Sequence, residues 1–325
     1  MKQLPFLEWL ALLAESQTTA NGPWEDWAAF LAAAERAAPY TTWHTERTVS
    51  FCDDLPGVAV APYYDYDHVD HPMSFALTHP YPQELPCLQE LGALCKTMGV
   101  NYLGLPFVCD HTKRHESFST LESGTIDLSP EDLLAPLNSK RRYRAKQALA
   151  SFNNLDLTLV FEAPLDSDVE ELCAAVAAVP DMEPDTLASL LMQTLVPLEL
   201  DDNGQPVHFV CAYNKAGALV AVQSFIESSV GLHKHWVYQA MLMRQDMVDG
   251  KFAYPGLSIA MLYAAARRAQ QHQMHFLNVT EYTSFMRSDM DVYKSALCSA
   301  ILPVHTIAVK TQADSEIHPP YFEYL

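Results

Sequence analysis

"YPGLSIAMLYAAARRAQQHQMHFLNV" occupies residues 254–279. Pro255 and Gly256 punctuate its start, and the run that follows is apolar on almost every side at helical spacing. It predicts a helix over about 257–272 that is buried for most of its length. Arg267 and Arg268 fall in the last turns, where the helix dipole favours cations. "MHFLNV", residues 274–279, then reads as a strand. Working backwards, "PVHFVCAY" (206–213), the turn "NKAG" (214–217) and "ALVAVQSFI" (218–226) read as a β-hairpin, and "WVYQAMLM" (236–243) as a third strand. "RQDMVDGKFAYPG" (244–256) reads as an irregular connection to the helix. Working forwards, "MDVYKSALCSA" (290–300) predicts a further helix and "ILPVHTIAV" (301–309) a last strand.

The chain has 325 residues, 49% of them hydrophobic and 18% charged. That length predicts two domains with two cores. A net charge of −20, from 20 basic against 40 acidic residues, excludes general adhesion to duplex nucleic acid, which needs many phosphates neutralised over a basic face. Seven scattered cysteines with no C-x-x-C pair fit reduced thiols packed as small core residues in a cytoplasmic protein. The N-terminal "MKQLPFLEWLALLAESQ" reads as an amphipathic helix over 5–16 and not as a signal peptide, because Glu8 interrupts its apolar run. No other stretch approaches the roughly 18 apolar residues that span a bilayer. A second helix is expected over 24–37 with Pro23 in its first turn, strands at 41–52 and 57–62, a helix near 83–98 and another strand at "VNYLGLPFV" (100–108).

One local feature runs against the global charge. "LNSKRRYRAKQALASF", 137–152, packs Lys140, Arg141, Arg142, Arg144 and Lys146 into seven positions. "SPEDLL" before it predicts a short helix capped by Ser129, with acids where the dipole wants them. If Asn138 or Ser139 caps the next helix, its first turns carry five cations at the end that prefers anions. Two ordinary explanations stand beside a ligand. The island pairs with the acidic stretch that follows, which has no Lys or Arg from Gln147 to Asn214, or it is a solvated helix face.

The order strand, strand, strand, loop, helix, strand, helix, strand over 207–309 resembles the core of the GNAT acyltransferase superfamily. Pro-Gly opening a long helix, then a strand, then the Tyr-Lys pair of "VYKSAL", resembles the FemAB-like peptidyltransferases of that superfamily. "TIDLSPEDLLAPLNSKRRYRAKQAL" (125–149) is similar to their inter-domain segment. The resemblance implies an α/β (α+β) protein of two tandem GNAT-like domains, each a mixed, mostly antiparallel sheet flanked by helices. The division would fall at 1–137 and 138–309, with the tail 310–325 returning to the first domain. It implies an N-acyltransferase moving an acyl or aminoacyl group onto an amine of a small molecule or peptide precursor. The usual glycine-rich pyrophosphate loop is missing apart from Gly256. The donor is expected to be an acyl-CoA-type co-substrate, with aminoacyl-tRNA or a non-catalytic binding protein as the alternatives. No bound cofactor is expected.

Acyl transfer needs a deprotonated amine, donors for the developing oxyanion and a route for the leaving-group proton. On the positions that match, the resemblance implies Lys294 against the acyl carbonyl or a donor phosphate, and Tyr238 and Tyr282 as proton donors. Glu227 is the candidate base. Tyr254, Pro255 and Gly256 would form the donor-binding helix start, and Lys140 and Arg141 would hold an anionic group, Arg141 being the cation nearest the apolar side of its helix. Each of these residues also has an ordinary structural reading as core, surface or helix-start chemistry. "YYDYDHVDHP" (63–72) gathers Asp65, Asp67, His68, Asp70 and His71, but its spacing fails as an EF-hand. No metal is expected there. Tyr64, Asp65, Tyr66 and Asp67 are candidates for an acceptor-binding loop.

Overall fold

The computed structural model describes residues 2–16, 26–46, 48–52, 55–62, 74–77, 102–106, 118–180, 182–230, 233–282 and 296–310. A short strand, β1 (Lys2–Pro5), leads into α1 (Phe6–Ser16), then α2 (Trp27–Ala37) and α3 (Trp43–Glu46). Asp26 caps α2 by accepting from the Ala29 amide at 3.0 Å, so this helix starts by side-chain capping and three residues later than its apolar pattern suggested. The expected strand from 41 begins only after α3, as β2 (Thr48–Cys52). β3 (Leu55–Pro62) and β4 (Ser74–Leu77) complete a four-stranded antiparallel sheet in the order β1, β2, β3, β4.

A second sheet carries the rest of the fold. Its strands are β5 (Tyr102–Pro106), β6 (Phe118–Asp127), β7 (Leu157–Val160), β8 (Val207–Asn214), β9 (Leu219–Val230), β10 (His233–Met243), β13 (Phe276–Tyr282) and β14 (Ala300–Lys310). Between β10 and β13 lies a separate two-stranded ribbon of β11 (Met247–Val248) and β12 (Lys251–Phe252). The large sheet runs β5, β14, β6, β13, β10, β9, β8, β7, and its strands before and after residue 137 hydrogen-bond in one ladder. Only β10 and β13 pair in parallel. This is a mixed, mostly antiparallel α/β sheet flanked by helices, as the sequence implied.

Both faces of that sheet are covered, which the alternation within single strands shows. Val207, Phe209 and Cys211 of β8 face one core, and Val210 and Ala212 face the other. The first core takes α5 (Asp166–Ala177) and α6 (Pro184–Asp202), with Ala29, Ala33 and Ala37 of α2 against them. Neither α5 nor α6 was anticipated from the sequence. Arg36 fastens α2 to this layer, reaching Glu199 at 2.7 Å and Asp166 at 2.8 Å. The second core takes α4 (Ser139–Phe152) and α7 (Leu257–Gln271), with Trp236, Tyr238, Phe225, Leu277 and Val279 beneath them.

"SPEDLL" does not become a helix. The Asp127 carboxylate accepts from the Ser129 amide and Asp132 accepts from the Leu134 amide, so short side chains take the donors a first turn would need. Of "MDVYKSALCSA", the described residues 296–299 form a turn, and the remainder lies outside the described residues. Among the described residues no helix is long and apolar enough to cross a membrane.

Candidate active site

The predicted central helix and its flanking strands place one irregularity at the middle of the sheet. β10 and β13 pair over three residues only, from His235 with Phe276 to Val237 with Asn278. Beyond that, β10 continues to Met243 and β13 to Tyr282, each holding its outer neighbour, β9 or β6. Both strands change register just past the fork, β10 between Tyr238 and Ala240 and β13 between Asn278 and Glu281. Bulges at this level twist the two strands apart. The result is a fork about 17 Å long, taking β10 from 238 to 243 at the usual rise per residue.

Tyr238 is the first β10 residue past the closed ladder. It is buried, 6% exposed, with its ring edge-on to Phe225 at 5.8 Å. Glu227 stands opposite Trp236, two residue pairs back on the closed side and on the same face of the sheet, diagonal to Tyr238. Its carboxylate lies 3.5 Å from His208 Nε2, whose ring stacks on Trp236 at 4.0 Å with an 18° tilt. Tyr282 ends β13 opposite Glu122. Lys294 and the loop residues Tyr64, Asp65, Tyr66 and Asp67 lie outside the described residues.

The other end of the fork leads to the start of α7. Gly256 caps it at φ +80°, a left-handed conformation that favours glycine. A Cβ at Gly256 would sit 2.1 Å from the Ala148 carbonyl oxygen, so α4 crosses α7 here at backbone distance. Pro255 precedes it, and Tyr254 donates to Asp246 at 2.5 Å. Asp246 also meets Arg244 Nε at 3.3 Å, and Arg244 reaches Glu171 at 3.3 Å. Burial, with the Asp246 carboxylate adding to it, pushes the Tyr254 phenol up to about 12. The link from β10 to α7 is not irregular. Asp249 and Gly250, at φ 51° and 72°, make the tight turn of the β11–β12 ribbon where a glycine-rich loop was missing.

Lys140 and Arg141 are not part of that helix start. Asn138 caps α4 through the Arg141 amide at 3.0 Å. Arg142 then gives its guanidinium to the carbonyls of Leu134, Ala135 and Leu137, and Arg141 gives its own to Cys298. The same 128–137 segment takes Arg267 and Gln270 from the last turns of α7. The two helices are therefore antiparallel, and the cationic start of α4 points away from Gly256, Lys140 lying about 12 Å along α4 from the Ala148 crossing. The ion pairs of Asp156, Asp166, Glu171 and Glu199 go to Lys215, Arg36 and Arg244. Lys140, Arg144 and Lys146 are exposed, with no ion pair among the described residues.

Cys173, Cys211 and Cys298 are buried free thiols, and burial pushes them up to about 12, 12 and 11, which suits packing and not nucleophilic attack. Among the described residues no cluster of three or more His, Cys, Asp or Glu could hold a metal ion. His208 is the residue the sequence reading missed. It sits in an ordinary alternating strand, and nothing local distinguishes it from a core histidine.

No protein-family model matches this chain, and no curated protein matches it. Among solved structures, the L-PGS of Bacillus licheniformis aligns over 95% of this chain and 92% of its own, at 10% identity and a TM-score of 0.43. A tandem GNAT protein from the clavulanic acid biosynthesis pathway aligns over 96% and 95%, at 14% identity and a TM-score of 0.40. A GCN5-related N-acetyltransferase from Anabaena variabilis aligns over 96% and 73%, at 9% identity and a TM-score of 0.36. These are likenesses of outline, and the chemistry is argued from this chain's own side chains.

Proposed function

We propose that this protein is an N-acyltransferase of the tandem GNAT type, moving an acyl group from an acyl-CoA-type donor to an amine of a small molecule or peptide precursor. The observation that carries the reading is the fork. Parallel strands packed in a covered sheet have no packing reason to part after three residue pairs, and a gap between them can take an extended ligand as a strand would be taken. Its length favours the donor class. A donor with its acyl carbon at Tyr238 and its phosphates near the start of α7 needs an extended arm of about 15–20 Å, set by the strand rise. In this reading Tyr238 protonates the leaving group, Tyr282 on β13 is a second proton donor, and Glu227 receives the acceptor's proton. Lys294 holds the acyl carbonyl or a phosphate, Tyr254, Pro255 and Gly256 shape the phosphate end, and Tyr64, Asp65, Tyr66 and Asp67 receive the acceptor. The chain divides at 1–137 and 138–309, the two units sharing the large sheet.

One observation favours a second reading with an aminoacyl-tRNA donor. Lys140, Arg144 and Lys146 are exposed beside Tyr143, itself 62% exposed, a cation and aromatic pairing suited to a phosphodiester strand. Thermal shifts with coenzyme A, acetyl-CoA, longer acyl-CoAs and aminoacyl-tRNA separate the two. A ligand that binds only the folded chain stabilises it by about 2.7 kcal/mol at a hundred times its dissociation constant. Stabilisation by acyl-CoA, followed by thiol release in the presence of amines, supports the first reading. A shift with aminoacyl-tRNA alone supports the second, and no shift with any donor refutes transfer.

A further inference from the structure

His208 Nε2 and the Glu227 carboxylate lie 3.5 Å apart, within ion-pair distance when the imidazole is protonated. The pair is half-buried, with side chains 25% and 28% exposed, so it touches both the protein interior and solvent. The Trp236 ring, itself buried, fixes the plane of the imidazole by stacking, and His272 at the end of α7 meets the same ring edge-on at 5.6 Å. Across the sheet, His208 is in register with Phe225, and Phe225 with Tyr238, so all three lie at the level where β10 and β13 part. Glu227 is two pairs back, on the strand between β8 and β10.

We infer that His208 and Glu227 are a proton relay from the fork to solvent. The inference rests on the transfer reading and adds to it a residue and a route. Transfer from a thioester to an ammonium acceptor forms one C–N bond, breaks one C–S bond, and releases one proton net. The amine's lone pair attacks the acyl carbon, the sulfur leaves as a thiol carrying one of the two protons lost by nitrogen, and the other proton must go out. Glu227, diagonal to Tyr238, takes that proton through a water molecule, and His208 passes it to solvent. His208 acts through Glu227 and is a positioning and relay residue, since it lies two strands, about 10 Å, from Tyr238.

The charges around the ring fit this use. Burial foremost lowers the His208 pKa, Glu227 of β9 raises it, and His272 and Arg268 of α7 lower it. Burial thus favours the neutral ring, the form that accepts a proton. The test has two arms. In the first, the His208 ring is titrated by NMR in the wild type, Glu227→Gln and His272→Ala. The relay predicts a midpoint below an ordinary histidine, lower again in Glu227→Gln and higher in His272→Ala. A midpoint that ignores Glu227→Gln overturns it. In the second arm, the pH profile of acyl transfer from acetyl-CoA is compared in the wild type, His208→Gln and His208→Phe. Both variants should lose at least tenfold in kcat above the His208 midpoint and lose the acid limb that protonation of His208 gives the wild type, with KM for acetyl-CoA unchanged, and the Phe variant keeps the stack on Trp236. Unchanged profiles overturn the relay while transfer stands. A wild type that transfers nothing overturns the transfer reading, and the titration still decides whether the two groups share a proton.

Discussion

Replacing Gly256 by alanine adds one methyl group where α4 and α7 cross at backbone distance. Two costs follow. At φ +80° an L residue pays about 1–2 kcal/mol for the left-handed conformation. The new Cβ would also stand 2.1 Å from the Ala148 oxygen, a backbone atom that cannot rotate away. Relief requires α4 and α7 to separate by about 1 Å, loosening an interface in which Ala145 is fully buried, and overpacking of this kind costs about 1–3 kcal/mol. The total is about 2–5 kcal/mol. Gly217→Ala is the control, because it has φ +81° and nothing within 4 Å of its Cβ, so it pays the backbone cost alone. Urea unfolding followed by tryptophan fluorescence measures both. With a slope of about 2–3 kcal/mol per molar, Gly256→Ala should lower the midpoint by roughly 1 M or more and Gly217→Ala by less than half as much. Equal midpoints for the two variants would refute the close crossing of α4 and α7, and with it the antiparallel placement of the cationic helix.

Arg142→Ala should cost about 1–3 kcal/mol in the same urea assay, because three main-chain carbonyls lose a charged donor. Lys140→Ala, Arg144→Ala and Lys146→Ala, each measured singly, should stay within about 0.5 kcal/mol of the wild type, as exposed positions without ion pairs among the described residues do. Tyr254→Phe should be less stable than the wild type at neutral pH. A phenol whose folded pKa is raised stabilises fully below its unfolded value near 10 and loses that advantage as pH rises through about 12, so the gap between the two proteins should close across that window. A gap that widens there would contradict the Tyr254–Asp246 bond.

The elements around the fork were legible because each has a strong local period. The 257–271 helix is apolar all round, and β8, β9 and β10 alternate cleanly between two cores. α5 and α6 were not, since the eye is drawn to their acids. Only their packing against α2 and the sheet shows that Val169, Leu172, Val176, Leu191 and Leu195 are fully buried. The ribbon at 247–252 carried a plain Asp-Gly signal that its short flanks concealed. Around the candidate site, the strand that carries Tyr238 and the helix start at Gly256 were readable from strand and helix punctuation, whereas the parting of β10 from β13 was not. Strand pairing is a long-range property, and residues 40 apart in sequence decide it. The five cations were visible from the start, but their use was not. Arg141 and Arg142 bind main-chain carbonyls, a role that charge counting assigns to carboxylates.

Hydrogen exchange along β10, with and without coenzyme A, tests the fork most directly. If the gap between β10 and β13 is a donor slot, 235–237 and the 238–243 amides bonded to β9 should be slow in both states, and the alternate 238–243 amides that face β13 should slow markedly only when coenzyme A is present. Equal protection along the whole strand without ligand, or no change on adding it, would contradict the account.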